Sequence, residues 1–303
     1  MSGKWTAEEI PDQSGRIAIV TGANSGLGLI TALELARHGA EVVIACRSLE
    51  KGESAADEIG EVATGPKPRV LALDLGSLDS IRAFSAEFSS RRLDLLVNNA
   101  GVMMTPQQTT SDGFELQLGT NHLGHFALTG LLLDSLERSD AARVVTLSSN
   151  EHKGGKIDFD DLQMERDYSP RGSYQRSKLA NAVFAVELDR RLRAAGLPAI
   201  SVFAHPGYAA TNLQSSGPTG VAKKLMAVSN RVLAQSAERG ALPTLYAATA
   251  PGVEGGDYYG PDGVAGMRGF PTKTEAIAAA YEPDVGQRLW RTSEELTGVS
   301  YLA

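Results

Sequence analysis

Cysteine occurs once in the 303 residues, at Cys46. A single thiol excludes an internal disulfide framework and leaves no thiol cluster for zinc. Long apolar runs are missing too: no window approaches the eighteen or so uninterrupted apolar residues of a membrane span. The N-terminus, MSGKWTAEEIPDQSGR, lacks the apolar core of a signal peptide. Positive charge is not in excess, and a formal net charge of −7 argues against a nucleic-acid surface or an anchor on an anionic membrane. There is no internal repeat, low-complexity tract, charge run or linker that would split the chain. What remains is a soluble globular protein, expected in a reducing cytoplasm.

Short apolar runs alternate with longer amphipathic ones, the rhythm of a buried parallel sheet wrapped by helices. RIAIVTG (16–22) reads as the first strand, with a helix from about Gly26 to His38 after it. EVVIAC (41–46), PRVLALDL (68–75), RRLDLLVNNAG (91–101), ARVVTLSS (142–149) and PAISVFAHPG (198–207) carry five more strands. Helices are expected over 49–60, 77–90 and 112–139, and again over 172–196, where Gly196 is a C-cap candidate. Residues 208–232 read as a mobile loop leading into a short amphipathic helix. A helix over 238–250, a short strand and turn at 255–263 and a closing helix at 284–298 follow. The expectation is one domain over 1–303: a Rossmann-type, doubly wound parallel α/β sheet in three αβα layers. Residues 1–15 form an N-terminal extension and 251–303 a C-terminal elaboration.

TGANSGLG (21–28) lies where the first strand turns into the first helix. Gly22, Gly26 and Gly28 allow a tight turn and a close backbone approach to a pyrophosphate, with the helix N-terminus offering unpaired N–H groups. Asn24, Ser25 and Leu27 belong to the same cradle. The spacing is G-x-x-x-G-x-G, and the strand before and helix after give it weight that glycines alone lack. At the end of the second strand, where a reader of a ribose 2′-hydroxyl would be acidic, Arg47 stands instead. A guanidinium suits a 2′-phosphate, so NADP(H) is expected over NAD(H). Asp74, with Leu75 beside it, is placed to accept from an adenine amino group. It could equally be a turn or N-cap aspartate.

SYQRSKLAN (173–181) sets Tyr174 and Lys178 four apart, on one face of a helix. NNAG closes the fourth strand with Asn98, Ala100 and Gly101, SS (148–149) closes the fifth, and Asn121 interrupts the long helix between them. In an open parallel sheet these groups reach one edge, that of the glycine loop. Carbonyl reduction needs a hydride on carbon and a proton on oxygen. A free phenol near pKa 10 is a poor acid and a scarce base at neutrality. A lysine ammonium one turn away, helped by a positively charged nicotinamide, is expected to lower that pKa. Tyr174 is therefore read as the general acid/base, tuned by Lys178, and Ser149 as the donor to the oxygen gaining charge.

TGANSGLG, NNAG, Asn121, Ser149 and YQRSK, in this order from Arg16 to Thr211, resemble the short-chain dehydrogenase/reductase family. ACRS, NHLGHFALT, SSNEH and YQRSKLAN resemble its retinol dehydrogenase-like branch, which commonly uses NADP(H). The resemblance implies that Lys178 also holds the nicotinamide ribose hydroxyls and that Asn121 fixes a water linking Lys178 to solvent. It favours Ser149 over Ser148, as strand alternation does. HPGYAAT (205–211) would place Pro206 and Gly207 at a turn beside the nicotinamide, with Ala209 and Thr211 on its carboxamide. The segment between Ser149 and Tyr174 is longer than in the plainest family members.

Residues 208–232, with Leu213, Val221, Leu225, Met226 and Val228, are apolar enough to form a lid over a hydrophobic carbonyl or alcohol substrate. A homodimer or homotetramer through the helices at 112–138 and 172–195 is implied by the resemblance, with a monomer also open. Two other readings compete: a catalytically silent NADP(H)-binding redox sensor, and a nucleotide-sugar epimerase or dehydratase. His122 and His125 lack a third ligand, so no metal is expected. His152 and His205 flank the cleft, either in a substrate pocket or in solvent. Met103 and Met104 are better read as core than as a pocket wall, and Cys46, Phe203 and Trp290 as buried filler.

Overall fold

In the computed structural model, which describes residues 4–208 and 235–303, the strands fall where alternating apolar runs place them. They are β1 (Ile17–Thr21), β2 (Glu41–Cys46), β3 (Arg69–Ala72), β4 (Leu95–Asn98), β5 (Arg143–Leu147), β6 (Ile200–Ala204), β7 (Tyr258–Pro261) and β8 (Pro271–Thr274). They form one sheet in the order β3-β2-β1-β4-β5-β6-β7-β8. β1 to β7 are parallel and β8 is antiparallel to β7. The chain steps outward from β1 in one direction and resumes on its other side at β4. This makes the β1/β4 boundary the switch point, where ligands bind beyond the strands' carboxyl ends.

The helices are α1 (Gly26–Arg37), α2 (Leu49–Gly60), α3 (Leu78–Phe88), a single turn α4 (Leu116–Leu118), α5 (Gly124–Leu131), α6 (Leu133–Glu137), α7 (Pro170–Ala194), α8 (Ala237–Thr249) and α9 (Pro283–Thr297). Strand side chains alternate between faces. Ala18, Val20, Val42, Ile44 and Val97 pack against α1, α2 and α8. Ile19, Val43, Leu96 and Val144 pack against α3, α5 and α7. The three-layer αβα expectation holds, and the C-terminal elaboration adds β7, β8 and α9 to the same sheet and helix layer. No described helix is long and apolar enough to cross a membrane.

Two expectations about elements need correction. The helix read over 112–139 is broken: a π turn, Gly119–Leu123, joins α4 to α5, and Leu132 separates α5 from α6. The ladder shifts register where the Gly124 N–H bonds Gly119 O, five residues back. Gly119 there lies against Thr110 and Gly124 against Leu75, approaches that no side chain allows. β8, PTKT, escaped notice because it is a polar edge strand with no apolar alternation to read. The loop and helix expected over 208–232 fall, beyond Tyr208, outside the described residues.

α9 covers the outer face of α5 and α7. Trp290 meets Phe126 edge-on at 5.0 Å and stacks on Phe184 at 6.0 Å, and Tyr301 closes the cluster over Phe126 at 5.0 Å. His122 Nε2 lies 3.0 Å from Ser293 Oγ. Much of the helix surface expected to offer a subunit contact therefore carries the chain's own C-terminal helix. A Cβ on Gly130 would collide with the Tyr301 ring. Overpacking costs about 1–3 kcal/mol, against the ~1 kcal/mol alanine gains over glycine in a helix. Gly130→Ala should thus lower the denaturation midpoint, and an unchanged or raised midpoint would refute tight packing there.

Candidate active site

The first wall of the site is the turn from β1 into α1. Gly22 and Gly26 have φ of 68° and 58°, the left-handed region that glycine enters at no steric cost. A Cβ on Gly28 would come within 2.6 Å of Gly22 O and 2.5 Å of Asn99 Nδ2, so only glycine lets the helix start this close to the turn. Ser48, Ser77, Ser169 and Ser236 cap α2, α3, α7 and α8 with their side chains. Ser25, the N-cap of α1, makes no such bond. The first amides of α1 are left without a side-chain cap beside a glycine cradle, a donor set that fits a pyrophosphate.

The second wall is the end of β4, tied to β1 by residues whose part was not foreseen. Asn99 Nδ2 donates to Thr21 O at 2.7 Å, and the Asn99 and Ala100 N–H groups both donate to Thr21 Oγ1 at 2.9 Å. The Asn98 side chain turns instead into the core, where its amide donates to Thr129 Oγ1 at 3.2 Å. Asn121, fully buried in the π turn, clasps Val102 in both directions: Val102 N donates to its Oδ1 at 2.8 Å and its Nδ2 donates to Val102 O at 2.9 Å. The same amide donates to Ser177 Oγ, which donates to Tyr174 O. Gly101 packs closely on the same clasp, since a Cβ there would come 3.0 Å from Asn121 Oδ1.

The third wall joins β5 to α7. Ser149 starts a short 3-10 turn (Asn150–Gly154), with its Oγ accepting from Glu151 N at 3.2 Å, and its hydroxyl lies near enough to the Tyr174 phenol to favour the phenolate. Ser148 faces the other way and donates to Lys178 O at 2.8 Å, so strand alternation sorts the two serines as expected. Tyr174 and Lys178 are both 4% exposed, and Nζ lies 5.8 Å from the phenol ring centroid. The Lys178 ammonium donates to Leu147 O at 3.0 Å.

Burial governs the charge balance of the protein's own groups. It pushes the Tyr174 phenol up to about 12; the neighbouring Ser149 hydroxyl opposes this, and the nearby Glu151 carboxylate adds to it. Burial also draws Lys178 down to about 8. The lysine therefore does not by itself make the phenol acidic. Its ammonium is turned to a carbonyl, and desolvation dominates both groups.

A family model for short chain dehydrogenases matches residues 16–220. The chain belongs to the short-chain dehydrogenase/reductase family. Human retinol dehydrogenase 13 is 42% identical over 295 residues, covering 94% of this chain and 85% of its own. Human retinol dehydrogenase 12 is 42% identical over 294 residues, with 95% and 88% covered. A solved structure of an uncharacterized protein from Mycobacterium paratuberculosis superposes with a TM-score of 0.83 at 42% identity, covering 99% of each chain. This short-chain dehydrogenase/reductase is thus an oxidoreductase of the retinol dehydrogenase-like branch, and its fold implies a nicotinamide cofactor.

The dehydrogenase places the remaining expected residues unevenly. Arg47 follows β2 directly with its side chain exposed. Asp74 closes a turn, its Oδ1 accepting from Gly76 N at 2.9 Å, so the turn role is realised. Leu75 is buried against Gly124. Gly207 has φ 66° and lies against Met267 O and Pro261, while Pro206 O accepts from Gln235 Nε2 at 2.7 Å. Ala209 and Thr211 lie outside the described residues. Met103 and Met104 are half-buried beside the cleft and outside the core, contrary to the core reading.

His152 and His205 are both buried, which settles them against solvent. His152 Nδ1 donates to Ser149 O at 2.6 Å and its Nε2 accepts from Ile277 N at 3.3 Å. The C-terminal elaboration thereby braces the serine across the long insertion. Among the described residues, no group of three or more His, Cys, Asp or Glu is placed to hold a metal ion. Thr21, Asn99 and Ser177 lie inside the quoted motifs but were assigned no role of their own. Their signal was adjacency alone: each stands beside a motif residue and supplies the bond that holds it.

Proposed function

We propose that this enzyme interconverts a carbonyl and an alcohol on a hydrophobic small molecule, with NADP(H) as hydride partner. The observation that carries the reading is the buried Tyr174 phenol, beside Ser149 and one helical turn from Lys178, on the sheet edge that holds the glycine cradle. The cradle at Gly22–Gly28, the Ala100–Gly101 backbone and the Lys178 ammonium would hold the dinucleotide, which when bound supplies or accepts the hydride at carbon. Ser149 donates a hydrogen bond to the substrate oxygen as charge builds there. Tyr174 delivers its proton to that oxygen in reduction and receives it back in oxidation. Burial, which pushes the phenol up to about 12, keeps it protonated at neutral pH but makes it a reluctant donor, so lowering its pKa for proton transfer falls to the Lys178 ammonium and the bound dinucleotide.

The substrate class is read from the mouth of the site. Asn150, next to Ser149, donates to Ala265 O at 3.2 Å and Gly266 O at 3.1 Å, tying the β7–β8 loop to the serine. On that loop Val264 is 91% exposed and Met267 38%, an apolar lip where a long hydrocarbon tail would pass. The retinol dehydrogenases among its relatives agree with a long apolar alcohol or aldehyde. The test is NADPH consumption against a panel of hydrophobic aldehydes and ketones of graded chain length. Stoichiometric oxidation rising with length supports the reading, and no consumption with any carbonyl removes it.

NADP(H) over NAD(H) rests on Arg47, exposed where β2 ends at the sheet edge, as a partner for a 2′-phosphate. Arg47→Asp should weaken NADPH by about tenfold or more while changing NADH less than about threefold, since only the charge pair is lost. Fluorescence titration with both cofactors checks this. Equal losses would assign Arg47 no part in the choice.

A further inference from the structure

His125 is fully buried on α5, directly after the π turn, and touches both halves of the site. Its Nδ1 lies 2.9 Å from Asn121 O, and a carbonyl can only accept, so Nδ1 carries the proton. The ring is neutral near pH 7, because burial, with the Lys178 charge nearby, draws it down to about 4 against the support of the Asn121 bond. Nε2 is then bare and accepts from Thr21 Oγ1 at 2.9 Å. That assignment also completes Thr21, whose oxygen takes the Asn99 and Ala100 N–H groups and whose single proton has the histidine at 2.9 Å as its nearer acceptor and Val97 O at 3.3 Å as the farther one. One fixed tautomer satisfies every partner.

We propose that His125 is a positioning residue that couples the cofactor cradle to the catalytic helix through this single tautomer. On one side it orients the Thr21 hydroxyl, which holds the NNAG backbone against the start of the glycine loop. On the other it holds the Asn121 carbonyl, whose side chain continues through Ser177 to the Tyr174 backbone. The two nitrogens serve different sites, so they can be removed separately. Asparagine at 125 keeps an amide near the place of Nδ1 and loses the Nε2 acceptor. Phenylalanine keeps the ring and loses both. Thr21→Val removes the hydroxyl at constant shape.

The proposal rests on the NADP(H) reading given above, and its test separates the two. Thr21→Val and His125→Asn should each raise the NADPH Kd about tenfold, with kcat falling less than about threefold. The double variant should be no worse than Thr21→Val alone, since His125 acts on the cradle only through the hydroxyl that this substitution already removes. His125→Phe should match that loss in affinity and also lose kcat by about tenfold or more. Additive losses in the Thr21/His125 pair, or an NADPH Kd that neither variant moves, would overturn it. Should His125→Phe fail to fold, the Thr21→Val and His125→Asn pair still decides. The ¹⁵N shifts of His125 report the tautomer without cofactor or substrate: a protonated Nδ1 and bare Nε2 are expected, and the reverse overturns the coupling whatever the enzyme's activity. Wild-type protein that shows this tautomer but reduces no carbonyl would instead fail the proposed reaction.

Discussion

Tyr174→Phe should reduce turnover by about 100-fold to 10,000-fold, the span that general acid–base groups contribute, while NADPH affinity stays within about threefold. The variant removes one hydroxyl from a ring that is 4% exposed, and the side chain that hydroxyl faces is that of Ser149. The cradle at Gly22–Gly28, the Asn99–Thr21 clasp and Lys178 are untouched, so binding of the dinucleotide is not expected to fall with turnover. The one other tyrosine at this end of α7 offers no substitute. Tyr168 donates its hydroxyl to Thr105 O at 2.8 Å and has no lysine one turn on. Single-turnover NADPH oxidation by the best aldehyde of the panel measures the step. A rate within tenfold of wild type would take the proton-transfer role away from Tyr174.

The second large effect concerns acid. Burial draws His122 down to about 3, His125 to about 4 and His205 to about 3, and lowers His152 as well. In the unfolded chain each titrates near 6.5. Between pH 6.5 and about 4 the unfolded state therefore binds more protons, so stability is whole above 6.5 and is lost as pH falls. Each such histidine contributes a slope approaching 1.4 kcal/mol per pH unit. Three together cost on the order of 5 kcal/mol by pH 5, a large part of the 5–15 kcal/mol typical of a domain. Urea midpoints measured every half unit from pH 7.5 to 4.5 should fall steeply below 6.5, and His205→Gln should flatten the slope by up to one proton. A level profile down to pH 5 would mean that these rings are not held neutral.

The histidines also mark where reading from residues stopped. His122 and His125 were weighed as metal ligands, and His152 and His205 as cleft residues open to water. None of these questions can be settled by position in the chain. A histidine's role depends on what meets its second ring nitrogen: in His125 and His152 one nitrogen takes a carbonyl four or three residues back, while the other meets Thr21 and Ile277, far away in the chain. The phenol shows the same limit. Tyr174 and Lys178 could be paired by spacing because a helix repeats every 3.6 residues. The sign of the Tyr174 shift could not, because it follows from how much water the surrounding layers exclude.

Composition, apolar alternation and five ordered motifs were enough to determine an αβα sheet, its carboxyl edge and the groups that meet there. These features are local: strand and helix periods, glycines where φ is positive, a turn of helix between two side chains. Tertiary structure alone decided the rest. It broke the helix at the π turn, laid α9 over α5 and α7, added the polar edge strand β8, and sent Asn98 into the core while Asn99 clasped β1. Each of these depends on contacts between segments far apart in the chain, where burial and hydrogen-bond saturation set the outcome and no short pattern records it.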